Sequence, residues 1–312
     1  MLLTAFLLHA GGADAARFPL PSTGNDLIGE PRQVTASGSQ TLLDIARSQD
    51  VGQEEILHAN PGVDRWLPGD GTPVVIPSHY VLPDARRRGL VLNLPEMRVY
   101  HFPKAARGTQ AAVDTYPASV GRMDWKTPLG GTRVVRKQRD PSWHPPESVR
   151  KEAEAAGEDI PQVIPPGPDN PLGAYALRLG LPGYLIHGTN KPYGVGMRVT
   201  HGCVRLLPED IEELFGRVPV GTPVQILNQP VKTVWQDGVL YVEVHPPLDE
   251  DQTAHKDLLR FTLERVYVEL QKQPAVLDGR ALRQAVEQAR GIPVAISKPG
   301  VEGRPITNPL FR

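Results

Sequence analysis

Cysteine is nearly absent. Cys203 is the only one in 312 residues, so no intramolecular disulfide can form and a free reactive thiol becomes the hypothesis to weigh. An excess of charge is also missing: 34 Lys and Arg stand against 35 Asp and Glu, which removes the field that would steer a nucleic-acid partner. After the first residues, no apolar run approaches the ~20 that a membrane-spanning helix needs. The one apolar run, Leu2 to Leu8, lacks a basic segment ahead of it, yet it leads into small residues ending Ala13-Asp14-Ala15-Ala16. That is the pattern of a secretory signal peptide over residues 1–16, with an A-x-A cleavage site after Ala15. No cysteine follows for lipid attachment, so the expectation is a soluble mature chain outside the cytoplasm. Proline, by contrast, is abundant at 33, which suits a mainly β protein with short helices and many loops. The length suits two or three domains.

The chemistry concentrates between Leu185 and Leu206, LIHGTNKPYGVGMRVTHGCVRL. His201 lies two residues before Cys203 and His187 sixteen before it, and the intervening glycines let backbone approach a ligand where a Cβ would block it. Tyr184-Leu185-Ile186 reads as a buried strand that delivers His187 to its end. Met197 to Thr200 reads as a second short strand that delivers His201 and Cys203. Three readings compete. A lone cysteine is often a small buried packing residue, but the Gly-rich, polar setting argues against that. His187, His201 and Cys203 could hold zinc with one open position, although no fourth ligand or catalytic carboxylate sits at familiar spacing. A Cys/His pair, in which a neutral imidazole takes the thiol proton, accounts for the thiol, both histidines and the glycines together. This third reading is favoured, and it needs neither metal nor cofactor.

The run from His187 to Leu206 resembles the signature of the L,D-transpeptidase (YkuD-type) catalytic domain: a His, a spacer, Ser/Thr-His-Gly-Cys, an apolar residue, then Arg or Asn. Gly121 to Gly130, GRMDWKTPLG, resembles that family's G-R-x-x-W-x-T-P-x-G segment, and Pro141 to Pro146, PSWHPP, its P-x-W-x-P-P segment. The resemblance implies a YkuD-like β-sandwich in the periplasm acting on peptidoglycan stem peptides. Cys203 would attack the carbonyl of the third stem residue and expel the terminal D-alanine. His187 takes the family's general-base position, and its other ring nitrogen is expected to donate to a backbone carbonyl, with Gly188 the candidate. His201 is expected to hold the loop or the thiol's surroundings, and Thr200 stands where serine is commoner. The N–H groups of Gly202 and Cys203 are natural oxyanion donors. Arg205 suits a substrate carboxylate, against the alternative of an ion pair with Glu209 or Asp210. Thr189, Asn190, Tyr193 and Trp143 are candidates for lining the cleft, and Thr127 to Gly130 for a structural turn beside it.

Domain boundaries follow from pattern. Residues 32–78, after a polar leader, read as a small βααβ unit: a strand at Val34, helical spacing over Thr41 to Arg47 and Glu54 to Ala59, an Asn60-Pro61-Gly62 break, and a closing strand over Gly71 to Pro77. This unit resembles a LysM module, which implies binding to N-acetylglucosamine-containing glycan; Gln40 stands where an acidic residue is common. Residues 87–229 are the expected catalytic domain, opening with a hairpin, Leu90 to Leu94 and Met97 to Phe102. A Pro-rich insert from Asp140 to Pro171, with a helix at Pro146 to Ala153, is expected to cover the cleft. A helix after Leu207 should turn Ile211, Leu214 and Phe215 inward and stop at Gly216. Residues 230–312 read as a small α+β appendage: a hairpin across Gln236-Asp237-Gly238, amphipathic helices over Thr253 to Leu270 and Gly279 to Arg290, and a loose tail over the last dozen residues. The acceptor amine is expected to be the lysine of an outer-membrane lipoprotein or a diaminopimelate side chain, the latter giving a 3–3 cross-link. Water would make the enzyme an L,D-carboxypeptidase, and loss of the site would leave a non-catalytic peptidoglycan-binding protein.

Overall fold

The structure, a computed structural model, describes residues 16–21, 26–249, 251 and 257–299. The expected signal peptide, apart from Ala16, and the expected tail from residue 301 lie outside them. Part of the expected polar leader is strand instead. β1 (Ala16–Pro19) pairs antiparallel with residues 112–115, and β2 (Leu27–Gly29) with residues 79–81. Two short apolar patches drive this: Phe18 packs edge-on against Tyr80 at 6.1 Å, and Leu27 and Ile28 are buried.

β3 (Arg32–Thr35), α1 (Leu42–Ser48), α2 (Gln53–Ala59) and β4 (Pro73–Ile76) form the βααβ unit, with β3 and β4 antiparallel. Thr41 and Asp44 cap α1 reciprocally, at 3.0 and 2.9 Å. Leu42, Ile45, Ala46 and Ile56 turn inward onto Val74 and Ile76. Asn60 explains the break after α2. Its amide donates to the Ile56 and Val75 carbonyls, both at 2.8 Å, and its oxygen accepts from the Val75 N–H at 2.7 Å.

β5 (His79–Val81) leads into β6 (Gly89–Asn93), β7 (Arg98–Phe102), β8 (Ala112–Pro117), β9 (Val120–Gly121) and β10 (Gly130–Arg139). Then come α3 (Glu147–Ala155), β11 (Tyr175–Leu179), β12 (Leu185–His187), a 3₁₀ turn at Pro192–Gly194, β13 (Arg198–Thr200), β14 (Val204–Arg205), α4 (Pro208–Arg217) and β15 (Pro223–Leu227). Nine strands are bonded in the order β1-β8-β7-β6-β15-β10-β11-β12-β14. β10 serves both halves of this ladder: Gly130 to Arg133 pair with β15, while Val134 to Arg139 pair with β11, and the register slips between Val134 and Arg136. Such a bulge bends a strand, so the ladder turns a corner and its halves face each other. Leu90, Leu92, Val224 and Ile226 from one half meet Leu177, Ile186 and Val204 from the other, and Ile211 and Leu214 of α4 complete this core. The helix does not stop at Gly216, which takes no left-handed turn; it runs to Arg217, and the Val218 N–H takes the Leu214 carbonyl at 2.9 Å.

β16 (Val231–Gln236) and β17 (Val239–Val244) form a hairpin whose Asp237 and Gly238 both have positive φ, 49° and 77°, the geometry of a type I′ turn. α5 (Leu258–Lys272), β18 (Ala275–Leu277), α6 (Gly279–Gln288), β19 (Val294–Ala295) and β20 (Ser297–Pro299) follow. Helix α5 starts later than its amphipathic pattern, where Asp257 accepts from the Arg260 N–H at 2.9 Å; residues 252–256 lie outside the described set. Val266, Leu282 and Val286 pack on Val231, Leu240 and Val242.

Two polar seams bind these units together, each built on one buried cation. At the N-terminal seam, the wholly buried Arg98 of β7 forks onto Glu55 of α2 through two 2.9 Å bonds, donates to the Thr115 hydroxyl at 2.9 Å, and lies 4.6 Å from the Tyr80 ring centre. Beside it, the carboxylate oxygens of Asp50 and Asp210 are buried without a well-formed hydrogen bond. Burial pushes the Asp50 carboxyl up to about 7 against the pull of Arg98. Burial, reinforced by the charge of Asp50, lifts Asp210 well above the usual carboxylate range. At the C-terminal seam, the Lys232 ammonium meets Glu96 at 2.9 Å, Glu243 at 2.7 Å and the Val81 carbonyl at 2.6 Å. Asn93 and Tyr100 also donate to Glu96, and the Val81 N–H (2.5 Å) and His245 (2.6 Å) bond to Glu243.

Candidate active site

β12 and β14 run parallel, with Ile186 opposite Val204 and His187 opposite Arg205. Ile186 and Val204 point into the sandwich core, so strand alternation sends His187, Cys203 and Arg205 to the other face. The backbone of this corner is tightly held. Leu206 N–H donates to the His187 carbonyl at 2.8 Å, and Ser119 and Arg205 exchange bonds of 2.8 and 2.9 Å.

The His201-Gly202-Cys203 turn is fixed from three sides. The Thr200 hydroxyl donates to the Cys203 carbonyl at 2.5 Å, and the Thr127 hydroxyl donates to the Gly202 carbonyl at 2.9 Å while accepting the Gly121 N–H at 3.0 Å. Thr127 thus joins the two motifs read separately in the sequence. Gly202 has φ +95°, and a Cβ there would sit 2.7 Å from Tyr184 Cε1, so backbone conformation and space both require glycine. The third support comes from α3: Glu152 accepts from His201 Nε2 at 3.1 Å and pairs with Arg122, while the His201 ring lies 5.3 Å from Trp125. Burial acts to raise the Glu152 carboxyl, but the hydrogen bond and charge of His201, with the Arg122 charge, hold it below its ordinary value. Helix α3 of the Pro-rich insert therefore packs beside the thiol loop, next to a hollow of about 620 Å³ lined by Trp125, Ser148, Lys151 and Glu152.

His187 is buried, and its Nδ1–H donates to the Gly188 carbonyl at 2.6 Å, which leaves Nε2 as the basic nitrogen. Burial, aided by the Arg205 charge, pulls the imidazole down to about 4. Burial also raises the Cys203 thiol, opposed by the Leu185 N–H and by the Arg205 and Arg178 charges. The resting pair is thus neutral thiol and neutral imidazole. The thiol donates to the Gly183 carbonyl at 3.6 Å, and among the described residues it makes no hydrogen bond to His187. The N–H groups of Gly202 and Cys203 are not taken by any acceptor among the described residues. Arg205 makes no carboxylate pair among the described residues; Glu209 pairs with Arg47, and the Asp210 carboxyl is unpartnered. The three zinc-ligand candidates do not converge: among the described residues only Glu96, Glu243 and His245 bring ligand atoms within 4.8 Å of one another, and Lys232 Nζ bonds to both of those glutamates.

The remaining cleft candidates have partners of their own. Tyr193 sits in the 3₁₀ turn and faces α1, beside Leu43, Ala46 and Arg47 and within reach of Asp44; it belongs to the N-terminal seam. The Thr189 hydroxyl accepts the Lys191 N–H at 2.9 Å, a local turn. Asn190 donates to the Asp169 carbonyl at 3.1 Å, and the Trp143 backbone ladders with Ile164 inside the insert. Arg178, Glu152, Trp125 and Tyr184 approach the thiol loop instead. Alternation along β11 could have found Arg178; Trp125 and Tyr184 lie in segments already singled out by motif, and Glu152 comes from the insert without local signal.

The loop is also gripped by the N-terminal unit. At the start of α2, the Gln53 and Glu54 N–H groups donate to the Val195 and Gly196 carbonyls, both at 3.0 Å. These are first-turn donors with no partner inside the helix. Gly196 has φ +86°, and a Cβ there would lie 2.3 Å from Gly52 Cα.

A buried imidazole and a thiol with two guanidinium neighbours thus share one face of a strand pair. A family model of the L,D-transpeptidase catalytic domain matches residues 87–226, and a model of the L,D-transpeptidase C-terminal domain matches residues 230–296. The chain belongs to the L,D-transpeptidase family and is an enzyme of that acyltransferase class. It is 42% identical over 291 residues to the probable L,D-transpeptidase YbiS of Escherichia coli K12, spanning 91% of this chain and 93% of that one. The probable L,D-transpeptidase ErfK/SrfK of the same strain is 38% identical over 302 residues, 94% of each chain. The putative L,D-transpeptidase YkuD of Bacillus subtilis is 30% identical over 195 residues, covering 60% of this chain and 93% of that one.

Proposed function

We propose that the protein is a periplasmic cysteine L,D-transpeptidase acting on peptidoglycan tetrapeptide stems, with Cys203 as nucleophile and His187 as base. The observation that carries this reading is the shared face of His187, Cys203 and Arg205, with the Gly202 and Cys203 N–H groups free beside them. On substrate binding the thiol proton leaves the Gly183 carbonyl and passes to His187 Nε2 as sulfur bonds to the stem carbonyl. The two N–H groups stabilise the oxyanion, and Arg205 holds a substrate carboxylate. Collapse breaks the C–N bond, and the imidazolium proton goes to the departing D-alanine amine. An amine acceptor then attacks the thioester, and its proton passes through His187 to the departing sulfur as the C–S bond breaks, which restores the thiol and the neutral imidazole. Because His187 rests near 4, it is neutral at physiological pH and can accept that proton.

The acceptor we infer is the C-terminal lysine of an outer-membrane lipoprotein, with diaminopimelate as the second reading and water as the hydrolytic one. The domain order favours the first, and the neutral, available Nε2 serves all three. The βααβ unit fits a LysM role: it presents Trp66 and Leu67 to solvent, 58% and 76% exposed, where an aromatic face can stack on a sugar. Intact mass tests the whole reading. Wild-type and Cys203→Ala protein are incubated with disaccharide-tetrapeptide and a lysine-ended peptide, with EDTA in parallel. The expected result is an EDTA-resistant adduct, the tetrapeptide less D-alanine, on wild type only, followed by a peptide conjugate, a dimer or tripeptide according to the acceptor. No adduct, with glycan binding retained, would leave only a wall-binding protein.

A further inference from the structure

Asp50 is a buried carboxylate whose place in the fold lacks a counter-charge of its own. It ends α1 in a left-handed conformation, φ 54°, with both oxygens buried and neither in a well-formed hydrogen bond. Arg98 offers it little, because that guanidinium is committed to Glu55 and Thr115 and reaches only the Asp50 backbone carbonyl, at 3.5 Å. The charged groups around Asp50 and Asp210 are Arg98 of β7, Arg47 of α1, Glu55 of α2 and Glu209 of α4, and Arg47 is paired with Glu209. The acids still outnumber the cations. Ala16 is the first residue of β1, held opposite Thr115 on the edge of the nine-stranded ladder, and Thr115 is itself bonded to Arg98. A hollow of about 460 Å³ is lined by Ala16, Arg17, Gly29, Gln49 and Asp50 among others. The residue that shares this hollow with the orphan carboxylate is therefore the one immediately after the Ala13-Asp14-Ala15 cleavage pattern.

We propose that removal of the leader after Ala15 converts the Ala16 nitrogen into an α-ammonium that forms a buried ion pair with Asp50, so that export completes the seam between the N-terminal unit and the catalytic sandwich. The covalent step is hydrolysis of the Ala15–Ala16 peptide bond: water supplies OH to the Ala15 carbonyl and a proton to the Ala16 nitrogen, which takes a second proton from solvent to become the ammonium. An ammonium is a stronger partner for a carboxylate than a peptide N–H. The cleaved chain thereby gains a charge that the precursor lacks where Asp50 and Asp210 need one. The inference rests on the export reading above and adds to it.

The full chain, expressed with its own leader in a Gram-negative host, decides the matter. N-terminal sequencing and intact mass of the exported protein are expected to give Ala16 as the first residue. Reductive ¹³C-methylation of the α-amine and NMR titration should place its pKa at least about one unit above the ordinary ~7.7–8.0, with a return to that range in Asp50→Asn. Two serines inserted between Ala15 and Ala16 should lower Tm by several degrees in the otherwise native chain and by nothing in the Asp50→Asn background. A chain that keeps Met1 would overturn the export reading and the ion pair together. Cleavage at another bond, an unshifted amine, or an insertion effect independent of Asp50 would overturn the ion pair alone.

Discussion

The two seams solve the same problem differently. Each buries one cation where separate units meet, but Lys232 at the C-terminal seam sits among acids whose oxygens are nearly all taken by Asn93, Tyr100, His245 and the Val81 N–H. Arg98 at the N-terminal seam is shared among more acids than it can bond, and Asp50 and Asp210 stay protonated to unusually high pH. A satisfied buried network fixes geometry, and an under-supplied one is sensitive to pH and to any charge brought near. The catalytic loop is attached to the second kind, through Gly52, Gln53 and Glu54.

The contrast is broken most severely by deleting the cations. Lys232→Met should cost about 3–5 kcal/mol, the usual penalty for stranding a buried charge. In the uncleaved full-length chain, Arg98→Met should cost as much at pH 8 but less at pH 5, where Asp50 takes up a proton; urea denaturation at the two pH values reads this, and equal losses at both would refute the distinction. Next in size is Asp50→Asn in the uncleaved full-length chain. Folded Asp50 keeps its proton to about 7 whereas an unfolded aspartate loses it near 3.9, so native stability falls as pH rises from about 4 through 7. The substitution should remove that slope and add about 2–4 kcal/mol at pH 8.

Gly196→Ala probes the grip itself. The new Cβ meets backbone at Gly52 and Gln53, and a displacement of order 1 Å at the loop should lower kcat/KM about tenfold to a hundredfold, with circular dichroism unchanged. The habit of suppressing charge extends to the site. With His187 near 4 and the thiol raised, iodoacetamide labelling of Cys203 should climb through pH 9 and show no inflection near 6.5; an acidic plateau would mean a resting thiolate–imidazolium pair. The smallest effect is expected from Glu152→Gln, about twofold in turnover, because its bond to His201 is exposed and weak.

The thiol loop was legible because its residues are consecutive: His187 to Arg205 carry imidazole, turn, thiol and guanidinium, and strand alternation assigns their face. The βααβ unit and the hairpin at Asp237-Gly238 were legible for the same local reason. Tyr193 turns toward α1, which its proximity in sequence to His187 could not show. Thr127 was read as belonging to a turn and proves to hold Gly202 as well. The Glu152–His201 pair and the Arg98–Glu55 fork join residues 49 and 43 apart, with no periodicity to announce them. β1 and β2 escaped because strands of four and three residues leave too short a pattern.

The fork between Arg98 and Glu55 has a consequence for how this enzyme can be taken apart. The segment matched by the catalytic-domain family model begins at residue 87, but the anion that neutralises Arg98 and the donors that steady Val195 and Gly196 lie before it. A fragment cut at that border would carry a naked guanidinium in its interior and an untethered loop. The heritable module and the smallest autonomous folding unit are therefore different objects, and recombination that swaps the first without the second should yield chains that contain every reacting atom and still fail to work.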